Sequence, residues 1–150
     1  MVRRTLASQD PVKTTEFPDT PEPRRRIMRA IKGRKNGTTE ENLASILRSE
    51  KISGWRRHVL LPGRPDFTWR GQRVAVFVDG CFWHGCPRHY RLPRVNREFW
   101  ALKIETNRER DKRVTRELRR AGWRVIRFWE CQVNSKVTLT RLRKALTSAQ

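Results

Sequence analysis

The stretch PGRPDFTWRGQRVAVFVDGCFWHGCPRH, residues 62–89, decides the reading of this chain. Within it Val74-Ala75-Val76-Phe77-Val78 is a continuous apolar run with β-branched residues, which reads as a buried strand. Arg70-Gly71-Gln72 is a turn signal just before that run. A hairpin about Gly71 brings Asp66, at the start of the first strand, toward Asp79, at the end of the second. Two carboxylates converging on one point repel each other, and a divalent cation relieves the repulsion. Hard oxygen ligands of this kind suit Mg²⁺, which can activate water and stabilise charge on a phosphate. The pattern therefore points to cleavage of a phosphodiester bond.

The second half of the stretch adds softer ligands. Cys81, Cys86 and His89 are spaced C-x4-C-x2-H, and Cys131 follows much later. Four such ligands meet the needs of a tetrahedral, structural Zn²⁺. The alternative is three unrelated cysteines and a surface histidine, and His84 could replace His89 in the set. His84 otherwise lies close after Asp79, where an imidazole suits a general acid or base; a lone histidine is more often structural. Phe82 and Trp83 occupy a glycine-bounded polar loop, and two adjacent bulky aromatics are not expected to face one core. Together with Trp100 they could stack on bases, or simply pack. Trp55, Trp69, Trp123 and Trp129 lie on expected strands and are assigned to the core. Glu40 either favours a helix dipole or stands behind the metal site.

Composition names the partner. The 150 residues hold 35 Lys+Arg against 15 Asp+Glu, a formal net charge of +20, which predicts a polyanion ligand and salt-sensitive binding. No apolar run approaches the ~20 residues that span a bilayer, and no signal peptide is visible. Residues 1–23 hold four of the eight prolines and read as a disordered tail. Arg3, Arg4 and Lys13 there face Asp10, Glu16, Asp19 and Glu22, so residues 24–150, one domain, carry the whole positive excess. In that domain a basic helix is expected over Arg24–Ile31. A second helix starts at a Thr38…Glu41 capping box, carries Leu43, Ile46 and Leu47, and stops at Ile52-Ser53-Gly54. A strand over Trp55–Leu60 comes next, then the hairpin, an irregular loop over residues 80–95 and a long helix from Asn96 to Gly122. A strand over Trp123–Trp129 and a helix over Leu139–Leu146 complete the order α-β-β-β-α-β-α, an α/β fold with a mixed sheet flanked by helices. Lys103, Arg108, Arg110, Lys112, Arg113 and Arg116 give the long helix a charged face, part of it for phosphates.

The strings MRAIKGR, TEENLASIL, LPGRPDF, VFVDGCFWHGC, REFWALKIETNRERD and LRRAGWRVIRFWEC together resemble the very-short-patch repair (Vsr) endonucleases over residues 24–133. The resemblance implies a restriction-endonuclease-like core and Mg²⁺-dependent nicking of double-stranded DNA 5′ to the thymine of a T:G mismatch. It implies Asp66 as the principal Mg²⁺ ligand with the Val78 carbonyl beside it, His84 as a catalytic histidine and Glu40 as an acid behind the metal. Phe82, Trp83 and Trp100 match aromatics that enter the base stack next to the mismatch, and Met28 a residue that wedges from the minor groove. Cys81, Cys86, His89 and Cys131 cover a structural zinc site. A monomer of the bacterial cytoplasm and nucleoid follows, with mismatch-repair proteins as candidate partners. The chain departs from the best-known form of the family at Val78-Asp79, where that form has Thr-His, which makes Asp79 a candidate second Mg²⁺ ligand. A restriction-type or broad mismatch nuclease of the same fold, and a non-cutting DNA-binding module, are the alternatives.

Overall fold

The computed structural model describes residues 39–148. The tail over residues 1–23, the helix over Arg24–Ile31, Met28 and the capping residue Thr38 lie outside the described residues. A first helix, α1, covers residues 39–49. The other elements are β1 (Phe67–Trp69), β2 (Val74–Asp79), α2 (Arg97–Arg120), β3 (Arg124–Trp129) and α3 (Lys136–Thr147), with a single 3₁₀ turn at Glu130–Gln132. The sheet order is β1-β2-β3. β1 and β2 form the antiparallel hairpin, with Phe67 opposite Val76, and β2 and β3 run parallel, with Phe77 opposite Arg127 and Asp79 opposite Trp129.

β2 lies in the middle of the sheet and is covered on both faces, which is why its sequence is apolar without a break. Successive side chains alternate between the faces. Val74 and Val76 enter a core with Leu43 and Leu47 of α1, Phe67, Trp69, Phe128 and Leu142 of α3. Ala75 and Phe77 face the other way, onto Val125 and onto Val114 and Leu118 of α2. Asp79 continues this second row and so points to the α2 side.

α2 has 24 residues, and only Trp100, Ile104, Val114 and Leu118 are buried. They recur on one face at the i, i+4 spacing, so a narrow apolar stripe docks an otherwise charged helix. Asn96 stands at its N-cap with φ 53° and no side-chain cap, so its amide does not perform the capping expected of it. Gly122 ends the run with φ +83°, a conformation that favours glycine.

Two expectations need correction. Trp55–Leu60 is not a strand: one antiparallel bridge joins Arg56 to Thr68. His58 then turns to φ 53°, and extended pairing cannot continue through that residue. α3 also begins three residues earlier than expected, because the Ser135 hydroxyl accepts a hydrogen bond from the Thr138 N–H at 3.2 Å and caps it. Of the four tryptophans assigned to the core, Trp69 is fully buried and Trp55, Trp123 and Trp129 are half-buried.

Candidate active site and metal centre

The hairpin and the parallel crossover deliver side chains to one end of the sheet. Asp66, Val78, Asp79, His84, Asp111 and Arg127 all line one cavity of about 280 Å³ there. Asp66 stands just before β1, and its Oδ2 accepts a hydrogen bond from the Val78 N–H at 2.7 Å. Burial, opposed by that bond and aided by the neighbouring Glu40 and Asp79 carboxylates, pushes its carboxyl up to about 7. A site that resists negative charge this strongly is one where a cation would be welcome. Glu40 comes from the first described turn of α1 and is itself held by Arg57, whose Nη2 donates to Glu40 Oε2 at 2.7 Å. Arg57 also pairs with Glu41, and His58 Nε2 lies 3.7 Å from Glu40.

The cation that Asp79 faces is a side chain. Arg127 Nε donates to Asp79 Oδ2 at 2.8 Å and Nη2 to Asp79 Oδ1 at 2.9 Å. Asp66 and Asp79 do share the cavity, as the hairpin predicts, but both Asp79 oxygens are already in charge-assisted bonds. His84 is anchored by Asp111 of α2: its Nδ1 is 2.5 Å from Asp111 Oδ2 and 3.8 Å from Asp79 Oδ1. Burial opposes ionisation of Asp111, but the His84 hydrogen bond and the Arg127 cation outweigh it and hold the carboxyl below its usual range.

α2 also clamps the loop that carries His84. Asn107 Nδ2 donates to the Trp83 carbonyl at 2.8 Å, and Arg108 Nη2 to the Gly85 carbonyl at 2.9 Å. Gly85 has φ +69°, and a Cβ there would lie 2.5 Å from Arg108 Nη2, so both the backbone and the clamp call for glycine.

The four soft ligands come together. Cys81 Sγ, Cys86 Sγ, His89 Nδ1 and Cys131 Sγ all lie within 4.8 Å of one another. Cys86 and Cys131 sulfurs are 3.9 Å apart, and His89 Nδ1 is 4.0 and 3.9 Å from Cys81 and Cys86. Tetrahedral ligation with bonds of about 2.3 Å puts sulfurs about 3.8 Å apart, so these residues could hold such an ion. Burial pushes the Cys81 thiol up to about 12. At Cys86 burial is outweighed by the Arg88 N–H and the His89 ring, and the thiol is brought down to about 6.

Phe82, Trp83 and Trp100 also meet. Their ring centroids are 5.1–5.9 Å apart in edge-to-face and tilted contacts, with Tyr90 against Phe82 and Phe99 against Trp100. Trp100 is buried, whereas Phe82 and Trp83 are half-buried, so the adjacent pair share one small cluster outside the main core.

Sequence reasoning missed Asp111 and Arg127. Asp111 continues the stripe Trp100, Ile104, Asn107, Asp111, Val114, Leu118, and an acid on a core-facing stripe was the signal. Arg127 is a charged residue inside a buried strand, on the face it shares with Val125. Both are departures from binary pattern of the kind that functional sites show.

A mixed sheet that gathers acids, a histidine and arginines at one end, on a chain this basic, has the make-up of a nuclease. A family model described as DNA mismatch endonuclease Vsr matches residues 18–90. The DNA mismatch endonuclease Vsr of Escherichia coli (strain K12) is 39% identical over 118 residues, 78% of this chain and 75% of that protein. The type II nicking enzyme V.XorIIP of Xanthomonas oryzae pv. oryzae is 38% identical over 130 residues, 85% of this chain and 94% of the relative. The type II nicking enzyme V.NaeI of Lentzea aerocolonigenes is 51% identical over 67 residues, 45% of this chain and 40% of that enzyme. The chain belongs to the Vsr family of DNA mismatch endonucleases. Its activity is accordingly mismatch-specific nicking of DNA. Among the described residues no helix is long and apolar enough to cross a membrane.

Proposed function

We propose that the chain, through its domain over residues 24–150, nicks double-stranded DNA 5′ to the thymine of a T:G mismatch, at the cavity that Asp66 and His84 share. The observation that carries this reading is Asp66, a carboxyl pushed up to about 7 beside Glu40 and within one cavity of a histidine–carboxylate pair. Asp66 and the Val78 carbonyl are the residues we assign to Mg²⁺, which when bound stabilises charge on a phosphate and lowers the pKa of a bound water. Glu40 stands behind Asp66, and Asp79 adds charge to the site while its oxygens stay on Arg127.

His84 is the proton acceptor in this reading. Its Nδ1–H donates to Asp111, which leaves the Nε2 lone pair for a proton from water or for the phosphate. The tautomer is assigned from that hydrogen-bond pattern. Cys81, Cys86, His89 and Cys131 would hold Zn²⁺, tying the loop after β2 to the turn after β3. A site with four protein ligands is closed, so the ion's role is structural. Half-buried Phe82 and Trp83, with Trp100 packed against both, are assigned to the base stack next to the mismatch, and Met28 to a wedge from the minor groove. A T:G wobble pair stacks weakly, so opening the stack there costs less than in matched DNA. The net charge of +20 supplies phosphate affinity. With DNA as substrate, we assign the work of this enzyme to the cytoplasm and nucleoid, as a monomer.

The test is strand-resolved nicking of end-labelled duplexes holding T:G, other mismatches or T:A, with and without Mg²⁺. A Mg²⁺-dependent nick 5′ to the mismatched thymine is the expected product. Equal nicking of matched and mismatched duplexes, or a cut at another bond, would overturn the assignment.

A further inference from the structure

Asp79, His84 and Asp111 offer ligand atoms within 4.8 Å of one another, a spacing at which such groups can take a metal ion. In this chain a guanidinium already stands among them. Arg127 Nη2 lies 2.8 Å from Asp111 Oδ1 while the same nitrogen and Nε bind Asp79. Nη1 donates to Thr115 Oγ1 at 3.3 Å, and the guanidinium sits 4.5 Å over the Phe77 ring. Each nitrogen of this cation therefore has a protein partner.

Asp111 is held at both oxygens, Oδ1 by Arg127 and Oδ2 by His84. Asp79 Oδ1, 3.8 Å from His84 Nδ1, is a rival acceptor for the same N–H. Arg127 donates to both Asp79 oxygens and so weakens the rival as an acceptor. The other charge near Asp111 is Arg110, 3.9 Å away and 57% exposed, too solvated to substitute.

Resting on the endonuclease reading above, we propose that Arg127 is a positioning residue. It acts as a resident cation between Asp79 and Asp111, keeps a metal ion out of that acid pair and off His84 Nδ1, and holds Asp111 where it takes the Nδ1–H and leaves Nε2 open. A cation fixed to the sheet holds this end of the cavity in the same state with or without divalent ions, and leaves the metal to Asp66 and the Val78 carbonyl.

The test uses the full zinc-containing chain without DNA. In ¹H–¹⁵N long-range spectra at mildly alkaline pH, the parent should show His84 as the Nδ1–H tautomer with or without one added equivalent of Zn²⁺, whereas in Arg127→Met the added ion should convert it to the Nε2–H form, because Nδ1 then takes the ion in place of the proton. Arg127→Lys, which keeps a cation, should stay close to the parent. Mn²⁺ binding counted by electron paramagnetic resonance should rise by one ion from Asp66→Asn to Asp66→Asn/Arg127→Met, and fall back when Asp111→Asn is added. If Arg127→Met does not fold, Arg127→Gln, which keeps a donor for Asp79 and removes the charge, is read in the same way. An unchanged tautomer and ion count in the folded neutral variant would overturn the proposal. In single-turnover nicking the neutral variant should lose on the order of 10–100-fold in rate with DNA affinity within about threefold. Failure of the endonuclease reading would appear instead as no nicking of a T:G duplex by the parent chain, which leaves the tautomer and the ion count as they are.

Discussion

Replacing the acid at the centre of the site should make the Mg²⁺-free protein more stable. Asp66 ionises at about 7 in the folded chain against an ordinary 3.8, because burial and the Glu40 and Asp79 carboxylates disfavour its charge. The unfolded chain releases this proton more readily than the folded one. Below about pH 4 both states hold the proton and the group contributes nothing. As pH rises from about 4 to about 7 the unfolded state gains, and above about 7 the folded state carries the full penalty. At about 1.4 kcal/mol per pKa unit, three units set a ceiling of about 4 kcal/mol. Asp66→Asn removes the charge but weakens the bond from the Val78 N–H, so a gain of about 1–3 kcal/mol is expected at pH 8. That corresponds to a rise of roughly 3–10 °C in Tm for a chain of this size. Thermal unfolding of parent and variant without Mg²⁺, at several pH values, measures it. The gain should shrink toward pH 5, and added Mg²⁺ should raise the Tm of the parent alone. A variant no more stable than the parent at pH 8, or a gain that grows as pH falls, would refute the electrostatic account of Asp66.

Cys131→Ser should lower zinc content well below one ion per chain in elemental analysis and reduce Tm, since the free energy of binding at a structural zinc is folding free energy. Asp111→Asn should slow single-turnover nicking on the order of 10–100-fold, because the amide no longer fixes the His84 ring, with DNA binding almost unchanged in a filter assay. Trp83→Ala should reduce the ratio of T:G to T:A affinity more than it reduces T:A affinity itself; equal losses would assign Trp83 to packing. Gly85→Ala should cost about 1–2 kcal/mol in urea unfolding, from the left-handed φ and from displacement of the Arg108 clamp.

Local signals carried much of this fold. The apolar run of β2, the Gly122 stop of α2 and the WRVIRFW strand depend on near neighbours, and each stands close to where its sequence puts it. Trp55–Leu60 failed because its strand-like composition is overruled at His58, where a positive φ points the following chain away from β1. Asp66, Asp79 and His84 could be gathered from one hairpin and its loop, since 18 residues separate the first from the last. Asp111 and Arg127 could not be reached in that way. They come from a helix and a strand across the crossover, and only the packing of α2 on the sheet brings them to His84. The Asp79 partner was obscured for the same reason: Arg127 lies 48 residues away along the chain and meets it only through the pairing of β2 with β3.

The most direct test of the central claim, that phosphodiester hydrolysis depends on Asp66, is single-turnover nicking of a T:G duplex by Asp66→Asn with the DNA fully bound and Mg²⁺ present. Binding comes from phosphate contacts and stacking, so it should be nearly intact. The predicted result is bound, un-nicked DNA. Nicking at a rate comparable to the parent would contradict the account and remove Asp66 from the chemistry.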